Sequence, residues 1–159
     1  KGVVDTLDPD AHEVEMAGVF DGALDCQTMV MMPNVIANIG DYVQNSPEYL
    51  HLETIRRTKD CFDILASDYV KAIEFKDSIT AAVHRMFQHT DVIITASAPG
   101  ETPVGLESTG NPAATACAPS ITLPKLTGPN GMPIGVQVIG RPGYDADAFR
   151  NAAYIDSIL

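Results

Sequence analysis

The sequence predicts an α/β fold, a mixed sheet covered by helices, on three observations. A helical apolar pattern ending at His89 runs directly into Asp91-Val92-Ile93-Ile94-Thr95, a β-branched run without alternation, as expected of a strand covered on both faces. Two further apolar runs, Ser120 to Leu123 and Ile134 to Ile139, flank a stretch dense in turn formers. No internal repeat or low-complexity tract divides the chain, so residues 1–159 read as a single segment.

Taken in order, Val3, Val4 and Leu7 form a short expected strand closed by Asp8-Pro9. Asp8 or Asp10 then caps an expected helix whose apolar positions Val14, Ala17, Phe20 and Leu24 repeat at three and four, weakened by Gly18 and Gly22. Pro33 interrupts the Met29 to Met32 run, leaving Asn34 to Asn45 open between a broken helix and a loop. Ser46-Pro47-Glu48 is a helix start signal: a hydroxyl that accepts a backbone N–H, a proline suited to the first position, and a carboxylate at the positive end of the dipole. Tyr69, Ala72, Ile73, Ile79, Val83 and Met86-Phe87 mark a second helix with one buried face. The expected hairpin of Ser120–Leu123 and Ile134–Ile139 is joined by a long loop, Pro124 to Pro133, containing Gly128-Pro129-Asn130-Gly131. Ala146 to Leu159 has helical spacing with no terminating Gly, Asn or Pro; together with Lys1 in first position, this makes the sequence read as part of something larger.

Composition narrows the function. Ten Lys and Arg against twenty-one Asp and Glu give a net charge of -11, which opposes phosphate backbones and anionic lipid surfaces. Nucleic acid and membrane are therefore not expected partners, and the longest apolar runs fall far short of the ~20 residues that span a bilayer. Cys26, Cys61 and Cys117 are odd in number and widely spaced, suggesting neither a disulfide framework nor a zinc site and pointing to a reducing, cytoplasmic setting. His84 and His89 are five apart, off one helical face, while His12 with Glu15 and His51 with Glu53 lack a third partner. No metal or other cofactor is implied. Cys117 has no His nearby in sequence, and Ser97 and Ser120 lack a Gly-x-Ser-x-Gly elbow.

Three blocks in order carry a resemblance: Asp91-Val92-Ile93-Ile94-Thr95-Ala96-Ser97-Ala98-Pro99, then Ala118-Pro119-Ser120-Ile121-Thr122-Leu123-Pro124, then Gly131-Met132-Pro133-Ile134-Gly135-Val136-Gln137-Val138-Ile139-Gly140-Arg141. Together they resemble the C-terminal part of amidase-signature enzymes, with Asp145, Asp147 and Phe149 at the start of a final helix. Lys76, where many members carry arginine, and Ala118-Pro119, where Leu-Pro or Val-Pro is more usual, depart from the pattern, and Gly110 to Pro119 is shorter than in relatives with a similar start. The resemblance implies an amidase whose nucleophilic Ser is activated through a second Ser by a Lys, with the backbone of a Gly/Ser-rich loop as oxyanion hole. All of these would lie upstream of this chain.

No Gly-Gly-Ser-Ser-Gly-like loop occurs here, and Lys1, Lys59, Lys71, Lys76 and Lys125 lack a Gly/Ser-rich partner. The chain alone is therefore expected to carry no catalytic residue and no amidase activity. Its expected partners are the N-terminal part of the same fold, a small amide substrate in the assembled enzyme, and a second copy through exposed sheet edges. Candidate pocket residues are Thr95, Ser97, Ala98 and Pro99 at a strand end, Asn111 and Thr115 as amide and hydroxyl donors, and Arg56 for a substrate carboxylate. For each, a structural role stands beside the functional one: a rigid loop, local turn hydrogen bonds, and surface ion pairs. A non-catalytic amidase-like binding or partner module is the alternative reading.

Overall fold

The computed structural model describes residues 11–97, 100–101 and 118–159. The strand expected at Val3 to Leu7 lies outside these residues. Four helices are described, α1 (Ala23–Asn45), α2 (Leu52–Thr58), α3 (Ala66–Met86) and α4 (Asp145–Ile158), with three strands, β1 (Ile93–Ala96), β2 (Ser120–Thr127) and β3 (Pro133–Ile139).

The N-terminal helix differs from expectation. Residues 11–17 carry no regular structure, a 3₁₀ turn follows at Gly18–Gly22, and α1 begins only at Ala23. The reason is which side chains find a core: Phe20, Ala23 and Cys26 are buried, whereas Val14 and Leu24, from the expected apolar face, are exposed. Pro33 sits inside α1 without ending it. A proline there removes one helical N–H, but α1 packs along α3, and tertiary burial outweighs the local loss. The Asn34 and Asn38 side-chain amides also donate to the carbonyls of Val30 and Asn34, at 2.8 and 2.6 Å.

Ser46-Pro47-Glu48 opens only the short 3₁₀ turn Pro47–Tyr49, with no hydrogen bond from the Ser46 side chain to the turn. The cap of α2 is His51, whose Nδ1 accepts the Glu53 N–H at 3.2 Å. By contrast α3 follows the expected periodicity, burying Ala72, Ile79, Ala82 and Val83 on one face.

The described sheet has the order β1-β3-β2 and is antiparallel throughout. The β2–β3 hairpin forms as expected, but its loop is shorter because β2 continues through Pro124 to Thr127. A register shift between Leu123 and Leu126 accommodates the proline, since a bulge in a strand paired on one side leaves its missing N–H without consequence. β1 is less covered than expected: Ile93 and Ile94 are half-buried, while Thr95 and Ala96 are exposed.

Strand alternation gives the sheet two different faces. On one, Leu123, Val136 and Val138 meet Ala152 and Ile155 of α4, with Val92, Ile94 and Ile121 packed around them. On the other, Ile139 joins Ile79, Ala82 and Val83 of α3, Ala23 and Cys26 of α1, and Phe20 and Phe87, with Ile93 alongside. The result is three layers: α1 and α3, the sheet, then α4. Lys125 ties the layers on the α4 side, its Nζ 2.7 Å from both the Asp156 carboxylate and the Asp156 carbonyl oxygen. Among the described residues no helix is long and apolar enough to cross a membrane.

Candidate functional site

Register brings together residues far apart in sequence. Thr95 of β1 lies opposite Gln137 of β3, which lies opposite Thr122 of β2, so three polar side chains stand in one row across the sheet. Ile93, Ile139 and Ser120 form the adjoining row, and Ile139 belongs to the core beneath α1 and α3. The polar row therefore lies on that same face, one step toward the open end of β1.

Ser97 extends the row. Its N–H donates to the Gly135 carbonyl at 2.9 Å, continuing the ladder one residue past β1. A Cβ on Gly135 would stand 2.6 Å from Ser97 Oγ and collide with Thr122 Cγ2, so glycine there permits the side chains on either side to converge. Gln137 is 8% exposed, between the exposed Thr95 and Thr122. Thr58 and Gln137 are the buried polar side chains among the described residues. The Thr58 hydroxyl donates to the Thr54 carbonyl at 2.8 Å within its helix, whereas the Gln137 amide makes no hydrogen bond to another described residue. An amide offers two donors and an acceptor, and two hydroxyls beside it add groups of both kinds, so the row can match a neutral amide.

Thr95 and Ser97 are thus brought to one place, whereas Ala98, Pro99, Asn111 and Thr115 lie outside the described residues. Arg56 is elsewhere. It sits on α2, which packs against α1 and makes no substantial contact with the sheet. Its Nε and Nη2 donate to the two Glu53 carboxylate oxygens, each at 2.8 Å, and Arg57 Nε donates to Oε1 at 2.7 Å. The two guanidinium groups hold the Glu53 carboxyl down to about 2. Arg56 therefore stands in an exposed ion pair on α2.

Sequence reasoning did not single out Gln137, Thr122 or Glu101. Gln137 had a signal, a polar residue within the apolar Ile134 to Ile139 run. Glu101 had none: its importance comes from the Gly128–Met132 turn, 27 to 31 residues away in sequence, where its carboxylate accepts hydrogen bonds from Asn130 and Met132. Burial pushes the Glu101 carboxyl up, but these bonds outweigh it and hold it below the usual range. Cys26 donates to the Ala72 carbonyl at 3.2 Å and Cys61 to the Arg57 carbonyl at 3.1 Å; burial pushes both thiols up, away from nucleophilic thiolates. No cluster of three or more potential metal-ligating side chains occurs among the described residues.

No family model matches the sequence, and none of the curated proteins does. The fold matches known structures. An inhibitor-bound chain from a vestigial protein complex that reveals the evolutionary origins of an s-triazine catabolic enzyme superposes with a TM-score of 0.80 at 22% identity, over 99% of this chain and 38% of that one. An amidase crystal structure gives 0.79 at 17% identity, over 91% and 37%. A bacterial aryl acylamidase of the amidase-signature family gives 0.61 at 13% identity, over 91% and 37%. The chain has the fold of the C-terminal portion of amidase-signature enzymes and spans less than two-fifths of their length.

Proposed function

We propose that this chain is the C-terminal segment of an amidase, a carboxamide C–N hydrolase, and that it supplies sheet and part of the substrate pocket to a Ser-Ser-Lys triad carried upstream. The observation that supports this most is the match of nearly the whole chain to a fraction of amidase-signature hydrolases. The polar row agrees with it: Thr95, Gln137, Thr122 and Ser97 form a neutral hydrogen-bonding wall and include no nucleophile–base pair.

In the assembled enzyme the triad's Ser attacks the amide carbonyl, the amine leaves with a proton, and water releases the carboxylate. Ala98, Pro99, Asn111 and Thr115 join the wall in this reading, and no cofactor takes part. The N-terminal portion covers the outer edge of β1 and the exposed apolar side chains; without it, a second copy pairs there. Leu24, Met31, Tyr49, Leu52 and Leu65 are among those exposed. The reaction suits a cytoplasmic enzyme.

The test is ammonia or amine release from a panel of small carboxamides by the chain alone and by the chain joined to its upstream coding region. Turnover only in the joined form, abolished by replacing the upstream Ser, is the expected result. Ser-dependent turnover by the chain alone overturns the proposal, and an inert joined form favours a non-catalytic amidase-like partner module.

A further inference from the structure

Two anchors hold the chain as it leaves β1. The first is the Ser97 N–H on the Gly135 carbonyl, at 2.9 Å. The second, four residues on, is Glu101. Its Oε1 accepts the Asn130 N–H at 2.9 Å and the Met132 N–H at 3.0 Å, and its Oε2 accepts Asn130 Nδ2 at 2.6 Å. The turn receiving it is itself closed by Gly128 N–H to Met132 O at 2.8 Å and Gly131 N–H to Gly128 O at 3.0 Å, with Gly131 at φ +82°. A left-handed residue between two backbone N–H groups aimed the same way makes an anion-binding concavity, and a carboxylate of this chain fills it.

The fit is specific to glutamate. A carboxylate accepts all three hydrogen bonds with no donor of its own; a glutamine turns an NH₂ toward one of the three donors; an aspartate is one methylene too short. Gly128 sits directly against the Glu101 Cγ and Cδ, so a Cβ there would drive the side chain out. Both anchors end on β3 or the turn that feeds it, the strand that carries Gln137. The distance between the β1 exit and the polar row is thereby fixed from two sides.

We propose that Glu101 is a positioning residue: by locking the chain after β1 onto the β2–β3 turn, it sets where Thr95 and Ser97 stand against an amide held on the Gln137 row. The inference rests on the amidase reading and adds a residue that touches no substrate itself. In the joined enzyme, Glu101→Ala and Glu101→Gln raise the KM for a small carboxamide about tenfold, the equivalent of one neutral hydrogen bond that a displaced Thr95 or Ser97 no longer makes to it. kcat changes less than about twofold, because the triad is elsewhere.

Gly128→Ala, which keeps the carboxylate but evicts it, gives the same KM rise, and the double variant with Glu101→Ala gives no further one. Amide exchange at Asn130 and Met132 reports whether the clamp has opened. An opened clamp with unaltered KM overturns this inference alone, as does a variant that loses only thermal stability. A joined wild-type enzyme that hydrolyses no carboxamide overturns the amidase reading and this inference with it.

Discussion

The two faces of the sheet are built from the same three strands and carry different tasks. Toward α4, the rows Ile94–Val138–Ile121 and Ala96–Val136–Leu123 are apolar, and Val136 and Val138 are almost wholly buried. Toward α1 and α3, the row through Ile93 and Ile139 meets a core among the described residues, and the next is Thr95–Gln137–Thr122. One face is closed by this chain's own residues. The other is apolar where helices cover it and polar beyond, which is how a fold divides stability from a site within one strand.

The sharpest way to break this comparison is to hollow the covered end. Ile79→Ala removes a side chain with no exposure and should cost about 2–5 kcal/mol in denaturant unfolding, while Ile155→Ala, on the sheet-facing side of α4, should fall at the lower end because a helix packed mainly on β2 and β3 can settle into the gap. Equal, negligible costs would show that neither face is a packed core.

Gly135→Ala comes next. Its new Cβ meets Thr122 Cγ2 and Ser97 Oγ, and the overpacking should cost about 1–3 kcal/mol, with Thr122→Ala in the same molecule restoring part of it. Gln137→Leu should behave in the opposite sense. Replacing a buried amide by an apolar group of similar size should leave stability within about 1 kcal/mol of the parent, or raise it. Amide turnover by the joined enzyme should nevertheless fall, and a large stability loss with unaltered turnover would make Gln137 a structural residue.

The smallest effect lies on α2. Glu53 is held down to about 2 by hydrogen bonds from Arg56 and Arg57, so the pairing contributes at pH values above the ordinary carboxyl range near 4.5. That contribution is lost as pH falls from about 4.5 through about 2. A side-chain NMR titration of Glu53 checks it, and an ordinary midpoint would show that the ion pairs do not persist in solution.

How far the sequence revealed this arrangement depended on whether the signal was local. The α3 periodicity, the β2–β3 hairpin and the acidic start of α4 were legible, because each is written in spacing or turn chemistry. α1 was misjudged at its start and left open beyond Pro33: its start depends on Phe20, Ala23 and Cys26 meeting α3, and its passage through Pro33 on the same packing. The site divided likewise. Thr95 and Ser97 were singled out because strand ends gather ligands, while Thr122, Gln137 and Glu101 join them only through strand register and a contact across 29 residues. Arg56 was named for a substrate carboxylate, and its Glu53 partner, three residues before it, places it in an ion pair on α2.

The most direct measurement is amide hydrogen exchange at β1, with and without the upstream portion supplied in trans. If the outer edge of β1 is covered by another segment of the same fold, the Ile94 and Ala96 N–H groups, which point away from β3, should exchange quickly alone and become protected on mixing, while those of Val136 and Val138 stay protected in both states. Ile94 and Ala96 protected equally in both would contradict it.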